Sequence, residues 1–183
     1  MRVSNVSVGG VEFTHEGSGG LVFVHGGAAH AHWWTHVAAQ FAGVYRVAAL
    51  DLSGHGDSDW RNAYSLDTWC EEVIAVADDA QMAGTPIVIG HSLGADTVLR
   101  TMPHDERIAA AVISGGGMVG LKADDPPYGV RYSELLEVLA PRPFFEVFGM
   151  QDHISDSEEM VRNKRTAQAD AGQLYDLYGK GND

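Results

Sequence analysis

The stretch from Thr85 to Leu99, TPIVIGHSLGADTVL, restricts the possible folds more than any other part of the chain. It begins with the apolar run PIVIGH, typical of a buried strand, and leads into LGADTVLRTM, whose composition favours a helix. Between them Ser92 stands at the centre of a Gly-x-Ser-x-Gly motif, with Gly90 and Gly94 two residues to either side. A tight turn from strand into helix crowds the backbone, so side chains at positions 90 and 94 are expected to clash. The stretch therefore predicts a strand, a strained turn that exposes Ser92, and a helix.

Apolar runs rich in valine and isoleucine recur along the rest of the chain. LVFVHG, YRVAALDL, IAAAVISGG and PFFEVFG each have the length of a buried strand, and segments with helical spacing separate most of them. This alternation predicts an α/β fold, a three-layer sandwich with a mostly parallel sheet. The opening VSVGGVEFTHEGSGG alternates around a Gly-Gly pair, which predicts a two-strand hairpin that enters the sheet antiparallel. Because 183 residues with 45% hydrophobic side chains suit one core, residues 1–183 are expected to form a single domain.

Helical periodicity is clearest from about Ser65 to Met82. The predicted buried stripe of this segment comprises Leu66, Trp69, Cys70, Val73, Ile74, Ala77 and Ala80. The predicted solvent face carries its acidic residues, Glu71, Glu72, Asp78 and Asp79. A later helix is predicted from Ser155, which has capping-box spacing to Glu158, to about Ala171. QLYDLYG is predicted to follow it as one more strand.

The charge balance argues against two classes of partner. The chain has 12 Lys and Arg against 25 Asp and Glu, and its net charge of -13 repels both phosphate backbones and anionic lipids. No nucleic-acid or membrane partner is therefore expected, and no apolar run approaches the roughly 18 residues of a spanning helix. Cys70 is the only cysteine, so no internal disulfide can form, as in proteins of reducing compartments. A cytoplasmic location is the resulting expectation.

The strand LVFVHG ends in His25, Gly26 and Gly27, where small residues are expected to leave backbone amides exposed. A carbonyl attacked by a serine becomes an oxyanion, and backbone N–H groups stabilise that charge. The amide of Leu93, which opens the predicted helix, is one candidate donor, and Gly27 is the second, with Ala28 as the alternative. His25 is expected to hold the glycine turn through hydrogen bonds rather than to act in catalysis.

With these elements together, the sequence resembles the α/β-hydrolase fold serine hydrolases. The resemblance rests on VHGGAAHAHWW, ALDLSGHGDSDW, IGHSLGAD and RPFFEVFGMQDHI, which cover almost the whole chain in the family's order. The second half is also similar to dienelactone-hydrolase-like and acetyl-esterase-like members. The resemblance implies that Ser92 is a nucleophile, that Asp152 is the acid of a catalytic triad, and that no cofactor is needed. A role as a turn residue is the alternative for Asp152, because Gly149 and the polar MQD also suit a loop.

The general base is the missing part of this resemblance. In the family the triad histidine lies beyond the last strand, but only residues 180–183 follow QLYDLYG, and they include neither a histidine nor the usual final helix. Either the chain is a C-terminally shortened hydrolase or its base comes from elsewhere. His153, directly after the presumed acid, is the candidate stand-in base, and His30 and His32 are alternatives. His91 is expected to point away from the site, because it precedes Ser92 in the strand.

Two groups of side chains could in principle hold a metal ion. They are His25, His30, His32 and His36, and Asp51, His55, Asp57 and Asp59. Neither contains a Cys pair or the H-E-x-x-H spacing, so no metal is expected, and the acids of DLSGHGDSDW are predicted to face water. Trp33, Trp34 and Trp60 are predicted either to line an acyl pocket or to pack on the sheet.

Residues 117–131 are too few for the helical cap that encloses many sites in the family, so the fold is expected to be capless, with an open pocket and loose substrate preference. The leading hypothesis is a carboxylesterase that cleaves small esters through an acyl-enzyme on Ser92. The alternative is a non-catalytic or truncated hydrolase-fold protein that binds a small molecule or a partner. Without a final helix, apolar sheet surface would lie uncovered, so a homodimer is expected.

Overall fold

The computed structural model describes residues 2–3, 6–7, 9–13, 19–82, 84–116, 132–147 and 158–179. The strands in these ranges are β1 (Arg2–Val3), β2 (Val6–Ser7), β3 (Gly10–Phe13), β4 (Gly20–Val24), β5 (Arg46–Leu50), β6 (Ile87–His91), β7 (Ala110–Ser114) and β8 (Phe144–Val147). The α-helices are α1 (Thr35–Ala38), α2 (Leu66–Asp79), α3 (Leu93–His104), α4 (Tyr132–Leu139) and α5 (Glu158–Leu177). A 3₁₀-helix, Ala31–Trp34, precedes α1.

The main sheet has the order β3-β5-β4-β6-β7-β8. β3 runs antiparallel to β5, and every other pair in this sheet is parallel, so the predicted mostly parallel sheet with an antiparallel entry is confirmed. The predicted hairpin around the Gly-Gly pair is wrong, because β2 pairs with β1 while β3 pairs with β5. Gly9 is instead held beside the end of β5, where its carbonyl accepts the amide of Asp51.

Side chains on the two faces of the sheet form two separate cores, which gives the predicted three layers. One face packs against α2, α3, α4 and α5 through residues such as Val22, Leu50, Val98, Ile113 and Leu136. The other packs against the 3₁₀-helix and α1 through Leu21, Phe23, Ala31, Ala38, Val47 and Ala49. Alternate residues of β4 enter opposite cores, as the two-residue period of a strand requires. Because β4 to β8 run parallel, their carboxyl ends lie together at one edge of the sheet.

Helix α2 follows the predicted stripe with one exception. Ser65 precedes it and its hydroxyl accepts the amide of Thr68 at 3.1 Å, and four of the predicted core positions, Leu66, Cys70, Val73 and Ala77, are buried within the helix. Glu72 was expected on the solvent face, and that prediction is wrong, because its side chain is fully buried. It lies one position from the stripe, where Arg61 of the preceding loop neutralises it.

The prediction of a last strand at QLYDLYG is wrong. Residues 173–177 of this run lie in α5, which continues past the predicted end at Ala171 to Leu177, and residues 178–179 form a turn after it. Ser155, the predicted start, lies outside the described residues. Ala167, Ala171 and Tyr175 recur every four residues and are buried, so helical periodicity decides against the short alternation of Leu and Tyr. The hydroxyl of Tyr175 donates to the carbonyl of Arg142 at 2.6 Å. None of the helices in the described ranges, α5 included, is long and apolar enough to cross a membrane.

The β6–β8 end of the sheet has one exposed face. On β8, Phe144 contacts the ring of Tyr175, whereas Phe145 on the other side is 64% exposed. We call this side of the three strands the open face. Its exposed residues are Phe145 and Val147, and its half-buried residues are Ile87, Ile89, His91, Ala110, Val112 and Ser114, of which Ile87 and Ile89 also pack against the second core. These side chains include no carboxylate, ammonium or guanidinium group. Exposed apolar sheet surface, expected from the sequence, is thus present among the described residues.

Candidate active site

Ser92 occupies the turn between β6 and α3 in a conformation that serine rarely adopts. Its φ is 53° and its ψ is -120°, in the region of positive φ that non-glycine residues avoid. Three backbone hydrogen bonds hold it there. Its amide donates to the carbonyl of Ser114 at 2.9 Å, and its carbonyl accepts the amides of Ala95 at 2.9 Å and Asp96 at 3.3 Å. The predicted strand, strained turn and helix are confirmed.

Glycines make this turn possible through close backbone approach. A Cβ on Gly90 would overlap the carbonyl of Gly94, and a Cβ on Gly94 would lie 2.5 Å from the carbonyl oxygen of His25 and also overlap that of Val24. The expected clashes at both positions are therefore present in the structure. A Cβ on Gly116 would overlap the carbonyl oxygen of Ser92, so a third glycine, which the sequence analysis missed, leaves room for the elbow.

The loop after β4 lies beside the elbow. A Cβ on Gly26 would stand 3.1 Å from the Cβ of Ser92, and one on Gly27 would stand 4.0 Å from the Cβ of Leu93. The two residues predicted to donate to an oxyanion are therefore neighbours in space. The amide of Leu93 opens α3 and has no carbonyl one turn earlier in the helix to accept it. We call residues 26–30 the oxyanion loop, because they include Gly27, the predicted second donor to an oxyanion.

His25 has the structural role predicted for it. It is fully buried, its Nδ1 lies 2.7 Å from the carbonyl oxygen of Gly26, and its Nε2 accepts the amide of Leu52 at 3.1 Å. An N–H donor at Leu52 requires a bare Nε2, so Nδ1 carries the proton and donates to Gly26. Burial lowers the pKa of His25 below its ordinary value of 6.5, which keeps the ring neutral. Both nitrogens are thus engaged in holding the loop.

The other histidines near the elbow are arranged differently. His91 lies on the open face, where its ring stacks on Trp33 with centroids 5.8 Å apart, and a Cβ on Gly115 would stand 3.2 Å from its Cε1. His30 and His32 are both exposed and their rings meet edge to face at 5.7 Å. The proposal that one of them is a base stays a prediction.

Of Trp33, Trp34 and Trp60, one has the predicted packing role. Trp34 packs against Phe23 at 5.2 Å in the second core. Trp60, by contrast, is 80% exposed, and Trp33 is half exposed above His91. Only Trp34 therefore packs into a core, and a role for the others at an acyl pocket stays a prediction.

Two buried carboxylates behind the loops are the residues that sequence reasoning missed. Asp51 was expected to face water, and this is wrong, because its side chain accepts the amides of Ala31 at 2.5 Å and Asp57 at 2.9 Å. Glu72 accepts the amide of Ser53 at 2.8 Å. The signal that could have found Asp51 is its place directly after a buried strand, where side chains face the functional edge of the sheet.

Several predicted features lie outside the described residues. These are Asp152 and His153, the proposed acid and stand-in base, and residues 117–131, on which the capless prediction rests. For the metal hypothesis, no group of three or more His, Cys, Asp or Glu side chains in the described ranges is arranged to hold an ion.

Comparison with known proteins agrees with this geometry. The family model described as the alpha/beta hydrolase family matches residues 21–182. In overall shape the chain is similar to Est1E from Butyrivibrio proteoclasticus, solved with ferulic acid bound, with a TM-score of 0.69 over 96% of this chain and 95% of that one. At 16% identity this likeness speaks for the fold alone.

Curated relatives include esterases and lipases. The pimeloyl-[acyl-carrier protein] methyl ester esterase of Sodalis glossinidius is 31% identical over 130 residues, which are 69% of this chain and 47% of the relative. The monoacylglycerol lipase of Mycolicibacterium smegmatis is 29% identical over 151 residues, 75% of this chain and 54% of the relative. The chain thus spans about half the length of these relatives. With the elbow, the sheet order and the family match in agreement, the chain belongs to the alpha/beta hydrolase family.

Proposed function

We propose that the protein is a serine hydrolase, a carboxylesterase that cleaves small esters through an acyl-enzyme on Ser92. The observation that carries the proposal is the left-handed Ser92 at the start of α3, with Gly27 beside Leu93. Relatives named as esterases and lipases support the same reaction class. A cytoplasmic location is part of the proposal, because Cys70 is a buried free thiol.

In the proposed reaction the Ser92 hydroxyl attacks the ester carbonyl carbon while a base removes its proton. The carbonyl oxygen becomes an oxyanion that accepts hydrogen bonds from the amides of Gly27 and Leu93. The proton passes to the leaving alcohol, and water then hydrolyses the acyl-enzyme. Asp152 and His153 are the proposed acid and base. Without a competent base, the oxyanion hole and binding would still leave roughly 10³ to 10⁴-fold acceleration over water.

Hydrolysis of p-nitrophenyl acetate by the purified chain tests this proposal. We expect Ser92→Ala to lower the serine-dependent rate at least about 100-fold, because the acyl-enzyme cannot form. The rate of the unsubstituted chain should rise with pH through about 6.5 if a histidine is the base, and His153→Ala should remove that dependence.

Ser65→Ala is the matched control, since it deletes a hydroxyl that caps α2 and should leave turnover unchanged. Retained pH dependence in His153→Ala would transfer the role of base to another residue, with His30→Ala and His32→Ala as the next variants. Equal rates for the unsubstituted chain and Ser92→Ala would contradict the esterase and favour the non-catalytic alternative.

We propose further that two copies associate through the open face. The whole chain carries a charge of -13, so two copies repel each other at long range, yet the eight positions of the open face carry no formal charge. Interface centres are depleted of charged residues and enriched in aromatic ones such as Phe145. The face therefore suits a like-charged second copy better than the acidic remainder of the surface does.

Sedimentation velocity at low and high salt measures this association. We expect a dimer that strengthens with salt, because screening removes the repulsion between the two acidic copies. Phe145→Glu should give a monomer, and Val138→Glu, at a similarly exposed apolar residue on α4, should not. A monomer at every salt concentration would refute the association.

A further inference from the structure

The oxyanion loop has few internal constraints. Within it the amide of Ala29 donates to the carbonyl of Gly26 over 3.3 Å, a long hydrogen bond, and Ala28 has a positive φ of 57°. Gly27, Ala28 and His30 are exposed. A loop of this kind needs external anchors if one of its amides is to keep a fixed position.

Two consecutive residues of the neighbouring segment provide anchors at both ends of the loop. At the entry, the amide of Leu52 donates to Nε2 of His25 at 3.1 Å. At the exit, the amide of Ala31, the first residue of the 3₁₀-helix, donates to Oδ1 of Asp51 at 2.5 Å. The residue before that helix, His30, makes no side-chain cap, so Asp51 supplies the acceptor from a distant part of the chain.

Asp51 is itself held in a fixed orientation. Its second carboxylate oxygen accepts the amide of Asp57 at 2.9 Å, and its own carbonyl accepts the hydroxyl of Ser58 at 2.5 Å. Its amide donates to the carbonyl of Gly9 at 2.9 Å. A Cβ on Gly56 would overlap the carboxylate of Asp51, so only a glycine at position 56 leaves room for that carboxylate. Charge-assisted hydrogen bonds from two amides make a buried carboxylate a strong anchor.

We infer that Asp51 is a positioning residue of the oxyanion hole, which fixes the loop that carries Gly27 by binding the amide of Ala31. The catalytic part of this inference rests on the proposed esterase function, whereas the anchoring part stands on the loop alone. Asp51 lies behind the loop and touches no substrate. Its effect on turnover is indirect, because an oxyanion donor displaced by about 1 Å costs a rate factor of roughly 100.

Hydrogen exchange of single amides, followed by NMR, tests the anchoring in the unsubstituted chain first. The amide of Ala31 should exchange slowly, although amides at a helix start ordinarily lack partners and exchange fast. In Asp51→Asn, whose amide group offers one acceptor oxygen instead of two, we expect exchange at Ala31 to quicken at least about tenfold, with β7 and α3 unchanged. Asp79→Asn makes the same change at an exposed site on α2 and should alter none of these amides.

Kinetics with p-nitrophenyl acetate provide the second readout. We expect Asp51→Asn to lower kcat about 100-fold while KM stays within about twofold, because the oxyanion forms only in the transition state. Fast exchange at Ala31 in the unsubstituted chain, or unchanged exchange in Asp51→Asn, would overturn the inference. Exchange that quickened equally in every element would also overturn it, because Asp51 would then contribute only to the stability of the whole fold. Should the unsubstituted chain lack serine-dependent turnover, the proposed function fails, and the exchange data still decide the anchoring.

Discussion

An Arg61→Ala variant should unfold with a free energy about 3–5 kcal/mol lower than the unsubstituted chain, because it strands a buried charge. Arg61 Nη2 lies 2.8 Å from Oε1 of Glu72, whose side chain is 0% exposed. Removal of the guanidinium leaves the Glu72 carboxylate without its counter-charge and Ser53 Oγ without the N–H that reaches it at 2.9 Å. Thermal unfolding followed by circular dichroism should register a fall in midpoint of roughly 10 °C.

Asp78→Ala is the control for this effect, because it removes one exposed ion pair and leaves Arg107 paired with Asp105. Arg107 pairs with Asp78 at a nearly equal N–O distance, 2.7 Å, but both side chains are about half exposed. Solvent screens that pair, so its loss should change the unfolding free energy by no more than about 1 kcal/mol. The double variant Arg61→Met with Glu72→Leu should recover part of the stability that Arg61→Ala loses, since it removes both charges together. Equal effects of Arg61→Ala and Asp78→Ala would contradict the importance of burial.

Gly94→Ala should disable the elbow and destabilise the fold together. The new methyl group would overlap the carbonyl of Val24 and approach that of His25, and backbone oxygens in a sheet cannot turn aside as a side chain can. We expect a loss of at least about 3 kcal/mol in unfolding free energy, together with loss of Ser92-dependent turnover. Denaturant unfolding and p-nitrophenyl acetate hydrolysis on the same preparation measure both.

Gly172→Ala is the matched substitution, because Gly172 also lies in a helix and a Cβ there would meet nothing within 4 Å. Alanine lowers the conformational entropy of the unfolded chain and favours the helix, so this variant should gain about 0.5–1 kcal/mol. Opposite signs at the two glycines are the expected result. Unchanged unfolding free energy and turnover in Gly94→Ala would contradict the prediction, because β4 and α3 would then be able to move apart at no cost.

The elbow could be predicted from the sequence because its motif is local: Gly90, Ser92 and Gly94 lie within one turn, and a Cβ on Gly90 would overlap the carbonyl of Gly94 itself. The clash at Gly94, by contrast, comes from the carbonyls of Val24 and His25, which the motif alone does not reveal. The alternation of strands and helices is local in the same sense, and it predicted the parallel sheet and the two layers that cover it.

The errors have a common physical origin in partners distant along the chain. Glu72 was assigned to solvent by its place on a helical wheel, but its partner Arg61 comes from the preceding loop. Asp51 was assigned to solvent by the polar loop around it, but the amide that it binds belongs to Ala31, 20 residues earlier. The seven residues QLYDLYG are too few to distinguish the two-residue period of a strand from the period of a helix. The buried positions Ala167, Ala171 and Tyr175 follow the helical period.

The backbone conformation of Ser92 has a consequence for how this chain can change over evolutionary time. A φ of 53° at a serine costs about 1–3 kcal/mol in every folded molecule, whether or not it ever meets a substrate. Glycine, which has no Cβ, adopts this conformation at lower cost. Under selection for folding alone, mutation of position 92 to glycine would be favoured, and descendants would lose the hydroxyl while the fold became more stable. Serine is therefore expected to persist at this position only where selection acts on the chemistry of its hydroxyl.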